Sequence, residues 1–326
     1  MSKATAVANP NIAFVKYWGQ IDDTLNLPAN PSVSMNLAAL TTVTTVEFQP
    51  GLLVDRVMIN DKPAIGEAFD RVVKHLDRVR SLVGSAAGAY VYSRNDFPTG
   101  TGLASSASAF AALSLAATRA AGLDLDGRAL SRLARLGSGS ACRSVPSGFS
   151  LWDGKSDEAS YARQVADRRH WDLADVIALV ADQHKAVGSQ KGHRLASTSP
   201  LHEARLAAAS GWIEPVLQGI RDRDLETIGR CIEIDALAMH GVMMTSEPSL
   251  LYWAPATISV LLAVRSWRKE GLGVYFTLDA GPNVHCICES ADAAEVEKRL
   301  RNLTGVKSVL VSGVGGGVRS VAYHLF

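Results

Sequence analysis

Apolar residues recur at helical spacing through Phe69, Val72, Val73, Leu76, Val79 and Val83, with charged residues between them. That pattern predicts an amphipathic helix. Thr41–Gln49, where Val43, Val46 and Phe48 sit among threonines, has strand composition, as has Ala89-Tyr90-Val91-Tyr92. Phe97 to Ser106 followed by an alanine-rich stretch to Ala121 reads as strand, glycine-bearing loop and buried helix, ended by Gly122 and Asp124. A further helix is expected from Asp126 to Leu136, and a buried strand at Ile177–Ala181. Two helical faces follow, one through Ile213, Val216, Leu217 and Ile220, the other through Leu225, Ile228, Ile232, Ala236 and Met239. Pro255 suits the first turn of a helix running over Ala256–Lys269 and stopped by Gly271. The chain then reads strand (Val274–Leu278), strand (Val284–Cys288), helix (Ala291–Leu303), strand (Val306–Val311) and strand (Val318–Leu325). This order suggests an α+β sandwich.

Composition narrows the possibilities. A chain of 326 residues, 47% hydrophobic and 20% charged, suits two packed lobes. The expected division is 1–185 and 186–326. A net charge of +1 argues against a broad polyanion-binding surface, so no nucleic-acid partner is expected, although a local basic pocket fits. The four cysteines contain no Cys-x-x-Cys pair, and Cys286 and Cys288 look like alternate strand positions. A structural zinc site is not expected, and the usage fits a reducing cytoplasm. Met1 to Thr5 lacks the apolar core of a signal peptide, and the apolar run Ile258 to Val264 is too short to span a bilayer, so no membrane partner is expected.

Four segments carry candidate chemistry. In Pro98-Thr99-Gly100-Thr101-Gly102-Leu103-Ala104-Ser105-Ser106, glycines permit close backbone approach and a helix start favours anions, so the segment reads as a phosphate loop or as a turn before a core helix. No Gly-Lys-Ser/Thr ends it, so it is not a Walker loop. Gly137 to Ser144 surrounds Arg143 with small residues and hydroxyls; its guanidinium suits carboxylate or phosphate, or is solvated in a turn. In Tyr275 to Asn283, Asp279 closes an apolar strand, as a base in a cleft or as a turn-initiating acid. In Asn11 to Gly19, Lys16 lies among apolar residues, as the buried partner of an acid or as a lysine that snorkels.

Together these segments resemble the diphosphomevalonate decarboxylase family of the GHMP kinases. Asn11–Gly19, Leu25–Pro28, Ser32–Ser34, Phe97–Ser106, Gly137–Ser144 and Asp279–Asn283 stand in the family's order and spacing, over nearly the whole chain. Ala8-Asn9-Pro10 departs slightly. The resemblance implies an α+β GHMP-kinase fold, with a ribosomal S5-like N-terminal lobe, a ferredoxin-like C-terminal lobe and a cleft between them. It implies ATP and Mg2+, a small-molecule substrate and a homodimer. In the implied reaction the tertiary 3-hydroxyl is phosphorylated, phosphate leaves, and carbon dioxide is lost as the alkene forms. Asp279 would orient or deprotonate the hydroxyl, Lys16 would keep Asp279 ionised, and Arg143 would bind the substrate carboxylate. Gly100, Gly102, Leu103, Ala104, Ser105 and Ser106 would hold the ATP phosphates, with Ser106 on the metal. Tyr17, Ser138 and Ser140 would line the phosphate end of the substrate, and Ser189 would help to place the γ-phosphate.

Two departures bear on the substrate. The family pattern after Tyr-Trp-Gly is usually lysine, where this chain has Gln20, and Asn36 stands where threonine is usual. A diphosphate wants a cation at that end, and one charge-assisted hydrogen bond is worth roughly 1.5–3 kcal/mol. The expected substrate is therefore 5-phosphomevalonate, giving isopentenyl phosphate. If another cation such as Lys191 takes over, the substrate is 5-diphosphomevalonate. A 3-hydroxyl kinase that stops before decarboxylation, or a non-catalytic binder of phosphorylated metabolites, are the rival readings. Retention of both Asp279 and Lys16 favours the decarboxylase.

Overall fold

The computed structural model describes residues 3–97, 105–181 and 187–326. Among these residues the threonine-rich run forms β6 (Thr42–Gln49), between β1 (Lys3–Ala8) and β9 (Gly88–Asn95). β7 (Arg56–Ile59) and β8 (Lys62–Pro63) extend the sheet beyond β9, and β16 (Arg319–Val321) extends it beyond β1. The alanine-rich stretch forms α2 (Ser105–Ala120), which lies on β1 and β6. Its small side chains allow that close approach, and nearly its whole surface is buried. α1 (Glu67–Val83) and α3 (Gly127–Gly137) flank it. α1 turns Val72, Leu76 and Val79 inward, as its spacing predicts, and α3 starts where the Asp126 side chain caps the Ala129 N–H.

A second sheet has the order β11 (Tyr161–Ala166), β10 (Phe149–Asp153), β5 (Ser32–Asn36), β2 (Asn11–Val15). β2 and β5 are buried at every position, so neither shows the alternation that marks a half-exposed strand. A short pair, β3 (Gln20–Asp22) and β4 (Leu27–Pro28), follows β2.

The third sheet runs β13 (Val274–Thr277), β14 (Val284–Glu289), β12 (Leu173–Leu179), β15 (Ser308–Gly313), all antiparallel. Between β12 and β13 come α4 (Ser189–Leu195), α5 (His202–Asp222), α6 (Leu225–Met244) and α7 (Pro255–Lys269), and α8 (Ala293–Arg301) links β14 to β15. This is the ferredoxin-like arrangement. Its outer face packs on α7 and α8 through Val264, Trp267, Val296 and Leu300. Its inner face joins α5 and α6 to the second sheet in one cluster with Ile12, Met35, Ile177, Val216, Ile232 and Ile287. That shared core fixes the lobes against each other.

Two expectations change. The division at residue 185 would place β12 in the first lobe, but β12 is a central strand of the third sheet. The strand expected at Val318–Leu325 is the short β16, Arg319–Val321, and it pairs with β1. By its pairing β12 goes with the third sheet, and β16 carries the chain back to the first.

Candidate active site

β2 ends at Val15 and passes Lys16, Tyr17 and Trp18 into the space between the lobes. The backbone of Lys16 is clamped there. Its N–H donates to Asp235, and its carbonyl accepts from Arg205 Nη2 at 2.8 Å and Asn30 Nδ2 at 2.9 Å. Arg205 and Asp235, both buried, form their own ion pair at 2.8 Å. From this clamp Lys16 Nζ reaches Asp279 Oδ1 at 2.9 Å. Asp279 lies just past β13, where its carbonyl accepts from His240 Nε2 at 3.0 Å. Burial pushes the Asp279 carboxyl up, but Lys16, His285 and Arg143 outweigh it and hold it below the usual carboxylate range.

Arg143 sits in the short 3-10 turn Gly139–Ser144. Its Nη1 donates to Ser32 Oγ at 2.8 Å and its Nε to Asn11 Oδ1 at 3.2 Å. Asn11 is fixed in turn by its amide, which donates to Ser144 Oγ at 2.8 Å. Arg143 is 3% exposed, and among the described residues no carboxylate lies within ion-pair distance of it. A buried guanidinium held by neutral groups is a site for an anion.

Lys16, Asp279 and Arg143 line one cleft of about 470 Å³. Tyr17, Gln20, Ser138, Ser140 and Ser189 line it too, as do Ser105 and Ser106 at the start of α2. Ser106 Oγ lies 3.2 Å from Ser138 Oγ, joining the α2 end to the Arg143 turn. Gly139 allows this turn to approach Tyr17: a Cβ there would meet the Tyr17 ring at 2.6 Å. Gly100, Gly102, Leu103 and Ala104 lie outside the described residues.

Gln20 holds a defined orientation. Asn26 Nδ2 donates to the carbonyls of Arg135 at 2.9 Å and Leu136 at 3.2 Å, so its Oδ1 must face Gln20. Gln20 Nε2 therefore donates to Asn26 Oδ1, at 2.9 Å, and to the Tyr17 hydroxyl. Both of its N–H donors are used within the protein. Asn36 does not line the cleft: its amide bridges the carbonyls of Pro146 and Gly316, each at 2.8 Å, and it serves the fold.

The family model of the diphosphomevalonate decarboxylase-like N-terminal domain matches residues 8–162, and that of the mevalonate 5-diphosphate decarboxylase C-terminal domain matches residues 175–314. The chain belongs to the diphosphomevalonate decarboxylase family. It is similar to the phosphomevalonate decarboxylase of Haloferax volcanii, with 34% identity over 317 residues and 96% of each chain covered. Among solved structures it is similar to mevalonate diphosphate decarboxylase from Staphylococcus aureus, with a TM-score of 0.94, 34% identity and 98% of each chain covered. It is also similar to MDDEF in complex with MVAPP, AMPPCP and magnesium, with a TM-score of 0.93, 35% identity and 99% of each chain covered.

Within this family member, several cleft residues escaped the sequence reading. His193 of α4 lies against the rings of Tyr17 and Trp18, at 4.2 and 4.6 Å between centroids, and its Nδ1 accepts from the Gly19 N–H at 3.2 Å. Arg71 of α1 lies over the Phe110 ring and donates to the Gly137 carbonyl at 3.1 Å. It lines both the cleft and an adjoining, more apolar cavity of about 180 Å³ among Ile59, Val72, Asn95 and Phe110. These contacts join elements far apart in the chain and leave no local motif.

Proposed function

We propose that the protein catalyses ATP-dependent decarboxylation of 5-phosphomevalonate to isopentenyl phosphate, ADP, phosphate and carbon dioxide. The observation that carries this reading is Arg143, buried and without a carboxylate partner among the described residues, in the same cleft as the Lys16–Asp279 pair. The substrate carboxylate supplies the missing anion. Its 3-hydroxyl then comes to Asp279, which takes the proton as the oxygen bonds to the γ-phosphoryl group and ADP leaves. The tertiary C–O bond breaks, phosphate departs, the bond to the carboxylate breaks, and the alkene forms as carbon dioxide is released. Lys16 keeps Asp279 charged before the transfer. Ser138, Ser140 and Tyr17 take the phosphate end of the substrate, and Ser189 assists at the γ-phosphate.

The nucleotide phosphates are assigned to the α2 start, and the base to the adjoining apolar cavity, with Arg71 between them. The serine hydroxyls of Ser105 and Ser106 and the Glu67 carboxylate line one cleft and suit a hard cation, with Ser106 as the proposed ligand. Magnesium, when bound, neutralises phosphate charge.

Choice of the monophosphate rests on Gln20, whose donors are spent on Asn26 and Tyr17. The Haloferax relative named a phosphomevalonate decarboxylase supports it. The diphosphate reading has its own support: Lys191 also lines the cleft. We read the protein as a homodimer, since Ile258 and Leu262, one turn apart on α7, are 47% and 62% exposed. We place it in the cytoplasm, which its four free thiols suit.

Turnover of mevalonate, 5-phosphomevalonate and 5-diphosphomevalonate, with carbon dioxide and ADP measured together, tests the proposal. Preference for 5-phosphomevalonate with equal release of both products is expected. ADP without carbon dioxide would make the protein a kinase, and neither product would make it a binder.

A further inference from the structure

A row of polar groups crosses the third sheet on its inner face. β13, β14 and β12 are neighbours in that order. Thr277 of β13 pairs with His285 of β14, and His285 pairs with Ile177 of β12. Paired residues share a face, as do residues two apart on one strand. Thr277, His285 and Asp175 therefore share the inner face, Thr277 directly beside His285 and Asp175 diagonal to it. The alternation continues past β13, because Leu278 stays in the outer cluster with Val274 and Phe276. Asp279 is left on the inner side, beyond Thr277.

His285 Nδ1 lies 2.6 Å from Asp175 Oδ2, with the two side chains 2% and 0% exposed. His285 thus shares a face with two carboxylates: Asp175 of β12, which it contacts, and Asp279, two residues past its strand partner Thr277. Lys16 closes the row beyond Asp279. Among the described residues, His285 Nε2, Thr277 Oγ1 and Asp175 Oδ1 are buried without a hydrogen-bond partner. Packed apolar side chains often serve a core as well as buried polar groups do, so such a row in an apolar layer calls for a reason.

The reason lies next to it. Burial pushes the Asp279 carboxyl up; against this Lys16 pulls it down most, followed by His285 and then Arg143. Asp175 is one strand further from Asp279. The other charged and titratable groups around the row are engaged. Asp235 of α6 is paired with Arg205 of α5, and Glu233 of α6 with Arg268 of α7. His240 of α6 donates to the Asp279 carbonyl, Arg143 approaches from the first lobe, and Cys286 belongs to the outer cluster.

We propose that Asp175 and His285 form a positioning pair for Asp279, in which Asp175 fixes the imidazole and the imidazole holds Asp279 in the form that accepts the hydroxyl proton. The pair touches neither substrate nor nucleotide in this scheme. It rests on the reading of Asp279 as the proton acceptor.

The test is the pH profile of kcat/KM for His285→Gln beside the wild type, with one substrate and one salt concentration. Losing the imidazole removes a pull on Asp279, so its carboxyl titrates higher and the acid limb moves to higher pH. The expected effect is a roughly 3- to 10-fold lower kcat/KM on the acid limb, a half to one pH unit, with the alkaline plateau kept within about 3-fold. An unmoved limb, or the same loss at every pH, overturns the proposal and leaves His285 as packing. Should His285→Gln not fold, the double variant Asp175→Asn/His285→Gln removes both members and leaves no buried charge unpaired. It should move the limb the same way, and an unmoved limb counts against the proposal equally. Asp279→Asn in the same assay separates the two readings: near-normal turnover there removes the base itself, whatever His285 does.

Discussion

Arg205 and Asp235 pair at 2.8 Å with both side chains buried, and between them they hold the backbone of Lys16. Asp235→Ala leaves Arg205 buried without its counter-charge. We expect a loss of about 3–5 kcal/mol in urea unfolding, the usual result of halving a buried pair. A change below about 1 kcal/mol would show that water reaches Arg205.

Asp279→Asn keeps the shape of the side chain and removes its charge. Turnover should fall on the order of 100- to 10,000-fold, with circular dichroism and melting temperature close to wild type. Carbon dioxide release near the wild-type rate from the folded variant would sink the assignment.

Arg143→Lys keeps the charge but loses the planar fork that reaches Ser32, Asn11 and a ligand together. Nucleotide affinity by calorimetry should be unchanged while decarboxylation falls at least about 10-fold. Wild-type turnover would leave Arg143 as a structural residue.

Gln20→Lys places an ammonium where an amide now serves Tyr17 and Asn26. The ratio of kcat/KM for 5-diphosphomevalonate over 5-phosphomevalonate should rise roughly 10-fold or more, the low end of a charged hydrogen bond. Both substrates must be read at one ionic strength, because exposed charge is screened. An unchanged ratio would locate discrimination elsewhere in the cleft, with Lys191 the first place to look.

Two buried histidines make stability fall in mild acid. Burial, aided by Arg78 and Arg71, brings His75 down to about 3. His240 is brought down to about 4 by burial, against its hydrogen bond to Asp279 and with help from Lys16. Above the ordinary value near 6.5 both are neutral, folded or unfolded, and stability is complete. Below it the unfolded chain binds protons that the folded one refuses. Each histidine then removes about 1.4 kcal/mol per pH unit until its folded value is reached, or about 2 kcal/mol by pH 5. Urea unfolding at pH 7 and pH 5 should show the loss, and His75→Gln should remove about 2 kcal/mol of it. An equal pH dependence in wild type and variant would argue against His75.

The sequence was most readable where elements have one wet face. Val72, Leu76 and Val79 repeat at 3.6 residues because the far side of α1 meets solvent. β2 and β5 gave no such signal, since both their faces are covered and Ser32, Ser34 and Asn36 are buried polar residues within them. In the cleft, Lys16, Arg143 and Asp279 stand in compact motifs, each with a local string to read. His193 and Arg71 gain their places only when α4 and α1 converge on the cleft, and no local string records that meeting.

β16 returns from the second lobe to the edge of β1, and the segment after it stays there: Thr5 Oγ1 lies 2.7 Å from His324 Nδ1, and the Leu325 N–H donates to Thr45 Oγ1 at 3.0 Å. During synthesis, then, the sheet that begins with Lys3 keeps a bare edge until Arg319–Val321 have left the ribosome. An early-formed first lobe would spend that interval with unpaired backbone groups along β1, the kind of border to which stray chains add. Late closure also couples the halves: pulling the final strand away opens the first sheet, and β12, which precedes every helix of the second lobe, already lies between β14 and β15, so neither half makes a clean fragment.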